Sequence, residues 1–475
     1  MTRAVGSLRE VELVEEGTDA PAVHRGRRWW WVLGGLVAVG ALLVGGQATL
    51  DARRHHHEMR FDDVAGVLLP VPTHLSVLWH ASPQAAELVG ATQVGGHLVT
   101  AAATDDGYTV REIDRRTGRS VWTVHDAVDP AVDATGEVYG VCAGLGAADL
   151  VVCAISPVGP HGIPAEDLAT QLVVVDAGDG SLVASWTTPL RMWTVGDGRI
   201  TTASSATSGD SITWSLTSYD AHGTQEWHRT LDPVEVQPPP ESDDWTLTYD
   251  LQLEAVDGYL LVADQGRAWR LHGGEVVDRL DVGMTAVELR PGGLVVTSRW
   301  GDAPSSTTLH LADGGTRALH GETLYTGIDD GSADDVLLGQ EGQGTLVARD
   351  VRTGEERWTR SGASVGGIVL GGVVYLLADH GFGVSGPSLV ALDAHTGATR
   401  WAQPQHTATF LMTDGRALYV QDDVDVHAFA LDDGAVLPDR ELRGLGEGRW
   451  LNASDGILVV RSADDDETTP VDVVG

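Results

Sequence analysis

One short phrase recurs along this chain and constrains its fold more than any other feature. The phrase is an apolar strand, Asp, two residues, Thr-Gly, three residues and Trp, and some copies are looser in spacing. Its repeated positions are Asp114, Gly118 and Trp122; Asp176, Gly180 and Trp186; Asp220, Gly223 and Trp227; Asp350, Gly354 and Trp358; and Asp393, Gly397 and Trp401. Asp350 and Asp393 are 43 residues apart, and Asp176 and Asp220 are 44 apart. A repeat of this length without helical periodicity predicts an all-β propeller of four-stranded blades.

Each residue type in the phrase has a physical reason to be there. The Asp carboxylate can accept backbone N–H bonds from the residues that follow it, which closes a tight turn. The Gly supplies a positive φ that β-branched residues avoid. The Trp lies on the outer strand, where its ring can pack on the neighbouring blade while its N–H reaches a carbonyl. The phrase therefore predicts contacts between blades as well as turns within them.

The number of phrases predicts the number of blades. Copies without Trp at 271–277, 311–319 and 430–437 bring the total to eight phrases, so eight blades are favoured within residues 75–473. Seven and nine blades are the alternatives, because Leu78 and Trp79 could form a further blade with the C-terminal strands. An open ring would expose two strand edges, so we expect residues 75–80 to pair with strands at 455–473 and close it.

The phrase resembles the repeat of PQQ-like propellers, a family that includes quinoprotein alcohol dehydrogenases and BamB, the propeller lipoprotein of outer-membrane assembly. The resemblance implies a propeller and, from BamB, a scaffold role. From the quinoproteins it would imply a quinone cofactor above adjacent cysteines, a calcium ion and a catalytic Asp. Here Cys142 and Cys153 are not adjacent, and Asn452 is the only Asn. We therefore predict no cofactor, no metal and no catalytic residue.

The N-terminal region predicts a membrane anchor. Residues 29–46 carry no charge and are long enough to cross a bilayer, with Arg25, Arg27 and Arg28 before them and three Trp at the interface. We predict a cytoplasmic tail at 1–28, a transmembrane helix at 29–49, a juxtamembrane linker at 50–74 and an extracytoplasmic propeller at 75–473. The alternative is a signal peptide cleaved near Ala48. Three adjacent His at 55–57 fit a solvated linker better than a metal site, because neighbours in an extended chain point in alternating directions.

The two cysteines lie in apolar runs on either side of a turn at 145–148. Cys142 and Cys153 are equally distant from the centre of that turn, so a hairpin would place them opposite each other. In an oxidising compartment this pair can form a disulfide. The alternative is two small buried residues with free thiols.

The formal net charge of −37 makes nucleic acid an unsuitable partner. The acidic clusters at 422–425 and 464–467 lack the ligand spacing of an EF-hand, so we interpret them as solvated turns. We therefore predict a single-pass membrane protein whose extracytoplasmic propeller binds another protein without catalysing a reaction. The alternatives are a PQQ-dependent oxidoreductase and a carbohydrate-active propeller.

Overall fold

The computed structural model describes residues 60–474 with short gaps. The gaps are 62–63, 72–75, 82–90, 95, 105–106, 133–138, 147–148, 157–166, 236–250, 265, 283–285, 300–305, 343, 382–386, 405–409, 422–425, 439–448, 455 and 463–470. The predicted tail, the predicted helix at 29–49, the His triplet and both acidic clusters lie outside the described residues. Among the residues it describes, the model contains no helix with the length and hydropathy that a membrane span requires.

Nearly all regular structure is antiparallel β-sheet, and it forms nine blades, numbered here along the chain with strands given from the centre outwards. Blade 1 contains β2 (Thr92–Val94), β3 (His97–Thr104), β4 (Gly107–Ile113) and β5 (Ser120–Asp126). Blade 2 contains β6 (Tyr139–Gly144), β7 (Leu150–Ser156), β8 (Leu168–Asp176) and β9 (Leu182–Leu190). Blade 3 contains β10 (Met192–Gly196), β11 (Arg199–Ser208), β12 (Ser211–Tyr219) and β13 (Gln225–Thr230), with β14 (Val234–Glu235) beside β12. Blades 4 and 5 contain β15 (Gln252–Val256), β16 (Tyr259–Asp264), β17 (Arg267–His272) and β18 (Glu275–Asp281); and β19 (Ala286–Arg290), β20 (Leu294–Arg299), β21 (Ser306–His310) and β22 (Thr316–His320).

The remaining blades include one strand that two blades share and one blade built from both ends of the propeller. Blade 6 contains β23 (Glu322–Thr323), β25 (Val336–Glu341), β26 (Thr345–Asp350) and the first half of β27 (Glu356–Leu370). Blade 7 contains the second half of β27, β28 (Val373–Gly381), β29 (Ser388–Asp393) and β30 (Thr399–Pro404). Blade 8 contains β31 (Phe410–Thr413), β32 (Ala417–Gln421) and β33 (Val426–Ala430). Blade 9 contains β34 (Arg449–Ser454), β35 (Ile457–Ser462), β36 (Val471–Val474) and β1 (Val77–Ala81). The short β24 (Thr326–Asp329) pairs in parallel with β27, and a 3-10 turn spans Pro291–Gly293.

The propeller of four-stranded blades is confirmed, but the favoured number of eight blades is wrong. Blades 1 to 8 each carry one of the eight phrases. Blade 9 carries none because its third and outer strands, β36 and β1, come from opposite ends of the propeller and share no turn. In blade 8 the fourth strand is reduced to one bridge between Phe429 and Val436.

The ring closes as the sequence predicts. β1 pairs antiparallel with β36, with Val77 opposite Val474 and Ala81 opposite Val471. The N-terminal strand thus supplies the outer edge of a blade whose other three strands are C-terminal. This pairing confirms the predicted closure and covers an edge that an open ring would expose.

The turns of the repeat have the geometry that the phrase suggests. The five repeat glycines have φ angles between 64° and 74°. Each repeat Asp accepts the backbone N–H two residues on, and the five donors are Arg116, Gly178, His222, Arg352 and His395. The sharp turn between the third and outer strands of each of these blades follows directly from these two residue types.

Tryptophans of the repeat connect neighbouring blades. The ring of Trp358 lies over Gly397 of the next blade, where an added Cβ would come within 2.5 Å of the indole. Its Nε1–H donates to the carbonyl of Ala394 at 2.8 Å, and Trp401 donates to Leu431 at 2.9 Å. Trp122 repeats the arrangement on Gly180 and Ala177, whereas Trp186 and Trp227 pack on Gly223 and Gly274. The glycine is therefore required both for its φ and for the close approach of the ring.

Trp79, which lies outside the eight phrases, makes the same contact at the closing blade. Its ring packs on Gly118 of blade 1, and its Nε1–H donates to the carbonyl of Arg115 at 3.0 Å. Blade 9 is therefore joined to blade 1 by the same tryptophan contact as the junctions that the repeat tryptophans form.

The junction between blades 4 and 5 uses an arginine instead of a tryptophan. Arg270 on β17 is only 1% exposed, although its guanidinium is charged. Its Nη1 donates to the carbonyls of Gly293 and His310 at 2.7 and 2.9 Å, and its Nη2 donates to that of Leu311 at 2.8 Å. Nη2 also pairs with Asp278 of the same blade at 2.9 Å. Because all three carbonyls belong to blade 5, Arg270 fastens the two blades together.

Residues 60–61 and 64–71, called here the arm, pack on the ring although they fall within the stretch assigned to the linker. Phe61, Val67 and Leu68 are all less than 9% exposed. Leu68 N–H donates to the carbonyl of Thr413, and Leu69 N–H donates to that of Gly456. The arm therefore crosses the inner turns of blades 8 and 9 before the chain enters β1.

Cys142 and Cys153 form one cross-strand pair of β6 and β7 in blade 2. They are joined by a disulfide, and both side chains are buried. The bond is local, since its two residues are separated by 11 positions. Whether it forms in the cell depends on the compartment, so it also reports on location.

We expect non-reducing peptide mapping of the native protein to show one linked peptide pair containing Cys142 and Cys153. A closed loop of this length contributes up to about 3 kcal/mol in the chain-entropy model, so reduction should lower the melting temperature without preventing folding. Two alkylated thiols in the unreduced protein would argue against the bond and against an oxidising location.

Candidate functional site

Strand order divides the connections of the ring between two faces. Turns joining inner to second strands and third to outer strands open on the face crossed by the arm, called here the arm face. Connections from second to third strands, and from one blade to the next, open on the opposite face, called here the loop face. Long connections and Pro-rich stretches belong to the loop face, including those at 157–167 and 231–251.

The segments that connect strand ends at the two faces differ in sequence composition. With the fourth strand of blade 8 placed at Val436, and β14 and β24 counted within connections, the sequence of the loop-face connections contains 26 Asp or Glu and three Arg. The sequence of the arm-face connections contains 16 Asp or Glu and five Arg. Parts of the loop-face connections lie outside the described residues. The described strands that precede and follow each connection nevertheless terminate at the loop face. Both acidic clusters predicted as solvated turns, 422–425 and 464–467, lie outside the described residues, between strands whose described ends are at the loop face.

Carboxylates of the arm face are largely used by the turns themselves. The backbone N–H of Thr224 keeps the pKa of Asp220 below its ordinary value. A hydrogen bond from Arg357 lowers the pKa of Asp350 to about 2. Arg357 also pairs with Asp335, at 2.8 Å. These groups stabilise local structure and leave less charge available to a partner than the count suggests.

A second group of carboxylates lies on the inner strands of blades 4 and 5 and in the segment between β23 and β25 of blade 6. Burial raises the pKa of Glu254 on β15, which accepts the backbone N–H of Leu289 at 2.7 Å. Burial also raises the pKa values of Asp329 and Asp334. Arg290 on β19 pairs with Glu288 at 2.9 Å. Within the described ranges no three His, Cys, Asp or Glu side chains converge so as to hold a metal ion.

The residues singled out from sequence separate into structural groups. The Asp, Gly and Trp residues of the repeat form turns and blade junctions, and Cys142 and Cys153 lie inside blade 2, away from any cavity described below. Asn452 lies on β34, an inner strand of blade 9. Sequence reasoning missed Arg270 and the arm; an Arg inside the apolar run Ala268–Leu271 was the available signal for the first.

Known proteins similar to this chain are propellers. Residues 281–461 match a family model described as "Outer membrane protein assembly factor BamB". No curated protein matches the sequence. The resemblance to PQQ-like propellers is thereby confirmed over part of the chain.

Two solved structures illustrate the similarity. BamB from Moraxella catarrhalis is 17% identical with a TM-score of 0.37, covering 84% of this chain and 99% of that one. Quinohemoprotein alcohol dehydrogenase ADHIIG from Pseudomonas putida HK5 is 14% identical with a TM-score of 0.34, covering 82% of this chain and 71% of that one. At these scores the fold assignment rests on the strand pairing of this chain itself.

Proposed function

We propose that this chain is a membrane-anchored, extracytoplasmic propeller whose loop face binds another protein as a scaffold. The larger number of Asp and Glu in the sequence of the loop-face connections carries the proposal. A rigid, closed ring holds loops in fixed relative positions, and loops on a rigid scaffold are common binding elements. Opposite charge across an interface steers a partner and fixes its orientation, so the partner should present a basic surface.

Three observations support the membrane-anchored part of this proposal. Residues 29–46 are uncharged and follow three Arg, as expected of a cytoplasmic flank. The arm begins at Arg60, shortly after this run, and leads the chain onto the arm face. A disulfide between Cys142 and Cys153 suits an oxidising compartment.

The similarity to an outer membrane protein assembly factor gives the scaffold a plausible setting. The matching family model covers blades 5 to 8 and part of blade 9. A role in assembling other proteins requires binding and positioning, which a propeller can provide without a reaction centre. The partner should be sought among envelope proteins with a basic surface.

Site-specific photo-crosslinking of the full chain in intact cells tests the proposal. A photoreactive residue at Asp210 or Phe410, both exposed at the loop face, should give a discrete protein adduct. The same residue at His222 or Arg352, both exposed at the arm face, serves as the matched control and should not. Adducts from the arm face alone, or from neither face, would contradict the proposal.

A further inference from the structure

A cavity of about 380 Å³ lies between the arm, blade 9 and the first turn of blade 1. Its walls are mainly apolar: Leu68 and Val71 come from the arm, Ile457 and Leu458 from β35, and Leu78 from β1. Its size and apolar lining with a few polar groups are typical of small-ligand sites. The cavity opens on the arm face, because the inner turn of blade 9 at Gly456 lines it.

Arg115 and Arg116 supply the charged part of this lining. They belong to the turn Asp-Arg-Arg-Thr-Gly-Arg at 114–119, and no other connection in the ring contains three Arg. Arg115 is oriented by a 2.9 Å hydrogen bond from its Nη2 to the carbonyl of Gly96, whereas Arg116 is exposed. An otherwise acidic protein therefore concentrates positive charge beside an apolar cavity.

We propose that this cavity binds an anionic phospholipid, with an acyl chain against the apolar walls and the phosphate at Arg115 and Arg116. Guanidinium groups bind phosphate through paired, charge-assisted hydrogen bonds. This inference rests on the proposed membrane anchoring.

The length of the chain before the arm supports lipid as the occupant. Thirteen residues separate the end of the uncharged run at Gly46 from Arg60. An extended segment of that length spans at most about 47 Å, which limits the distance between Arg60 and a membrane that residues 29–46 would span. The apolar walls and basic rim of the cavity match the chemistry of an anionic lipid.

Native mass spectrometry of the purified full chain tests the site. In mixed micelles containing phosphatidylglycerol and phosphatidylcholine, we expect the chain to retain one phosphatidylglycerol molecule in preference to phosphatidylcholine. Arg116→Gln should reduce this retention about tenfold, because it removes the exposed charge at the phosphate position. Arg119→Gln removes a charge from the same turn outside the cavity and should leave retention unchanged. Equal melting temperatures for both variants would show that folding is intact.

A second measurement separates this site from the anchor. Water-soluble dihexanoyl phosphatidylglycerol should bind the full chain and lose affinity in Arg116→Gln whether or not residues 29–49 span a membrane. Equal retention of the two lipids, equal loss in both variants, or displacement by inorganic phosphate alone would overturn the lipid site. Protease protection of the propeller in spheroplasts would instead contradict the anchoring, whereas its digestion would support it.

Discussion

Replacing Arg270 with Met should lower the free energy of unfolding by about 3–5 kcal/mol, the cost of breaking a buried charged network. The side chain is almost fully buried, and its removal leaves the carbonyls of Gly293, His310 and Leu311 without their donor. Met approximates the volume of the Arg stem, so the effect reports the lost hydrogen bonds together with the lost ion pair to Asp278. Urea denaturation monitored by Trp fluorescence measures the change.

Arg279→Met provides the matched control for this experiment. Arg279 lies on β18 of the same blade, pairs with Asp232 at 2.7 Å and is largely exposed. Exposed ion pairs contribute little, so its replacement should change stability by less than about 0.5 kcal/mol. Similar losses in both variants would contradict a special role of Arg270 at the junction between blades 4 and 5.

Trp358→Ala and Trp401→Ala should each lower the free energy of unfolding by about 3–5 kcal/mol. Their side chains are 7% and 8% exposed, and each fills the space above a glycine of the next blade. Denaturant midpoints of the two variants measure the loss. A change below about 0.5 kcal/mol would mean that the rings lie at the surface in solution.

Phe at these positions separates packing from hydrogen bonding. Trp401→Phe keeps an aromatic ring above Gly434 but loses the donor to the carbonyl of Leu431. We expect a loss smaller than that of the Ala variant, with about 1 kcal/mol from the hydrogen bond. A Phe variant as unstable as the Ala variant would contradict this division.

The repeat allowed much of the fold to be predicted, because its residues act locally or on the adjacent blade. The turn requires a positive φ at Gly397 whatever surrounds it. The large ring of Trp401 has to be buried against a neighbouring part of the fold. The ninth blade was undercounted because β36 and β1 are joined through space and carry no phrase. Arg270 was missed because its partners are carbonyls of another blade, which sequence does not place near it.

The candidate binding face could not be predicted for a different reason. The acidic runs at 422–425 and 464–467 are evident in the sequence. Their positions along the chain do not show at which face of the ring the strands next to them end. Only the strand order shows that the strands before and after each run end at the same face as the strands that flank the long connections. The arm was missed because its apolar residues are few and irregularly spaced, so burial of Val67 and Leu68 depends on turns contributed by blades 8 and 9.

The central claim is that acidic charge on the loop face binds a protein partner. It is tested most directly by the yield of the crosslinked adduct from position 410 in two charge variants of the full chain. Asp464, Asp465 and Asp466 changed together to Asn should reduce that yield about tenfold, because complementary charge drives encounter and orientation. The same change at Asp179, Asp313 and Asp433, in turns of the arm face, should leave it unchanged. Equal yields from the two variants would contradict the claim.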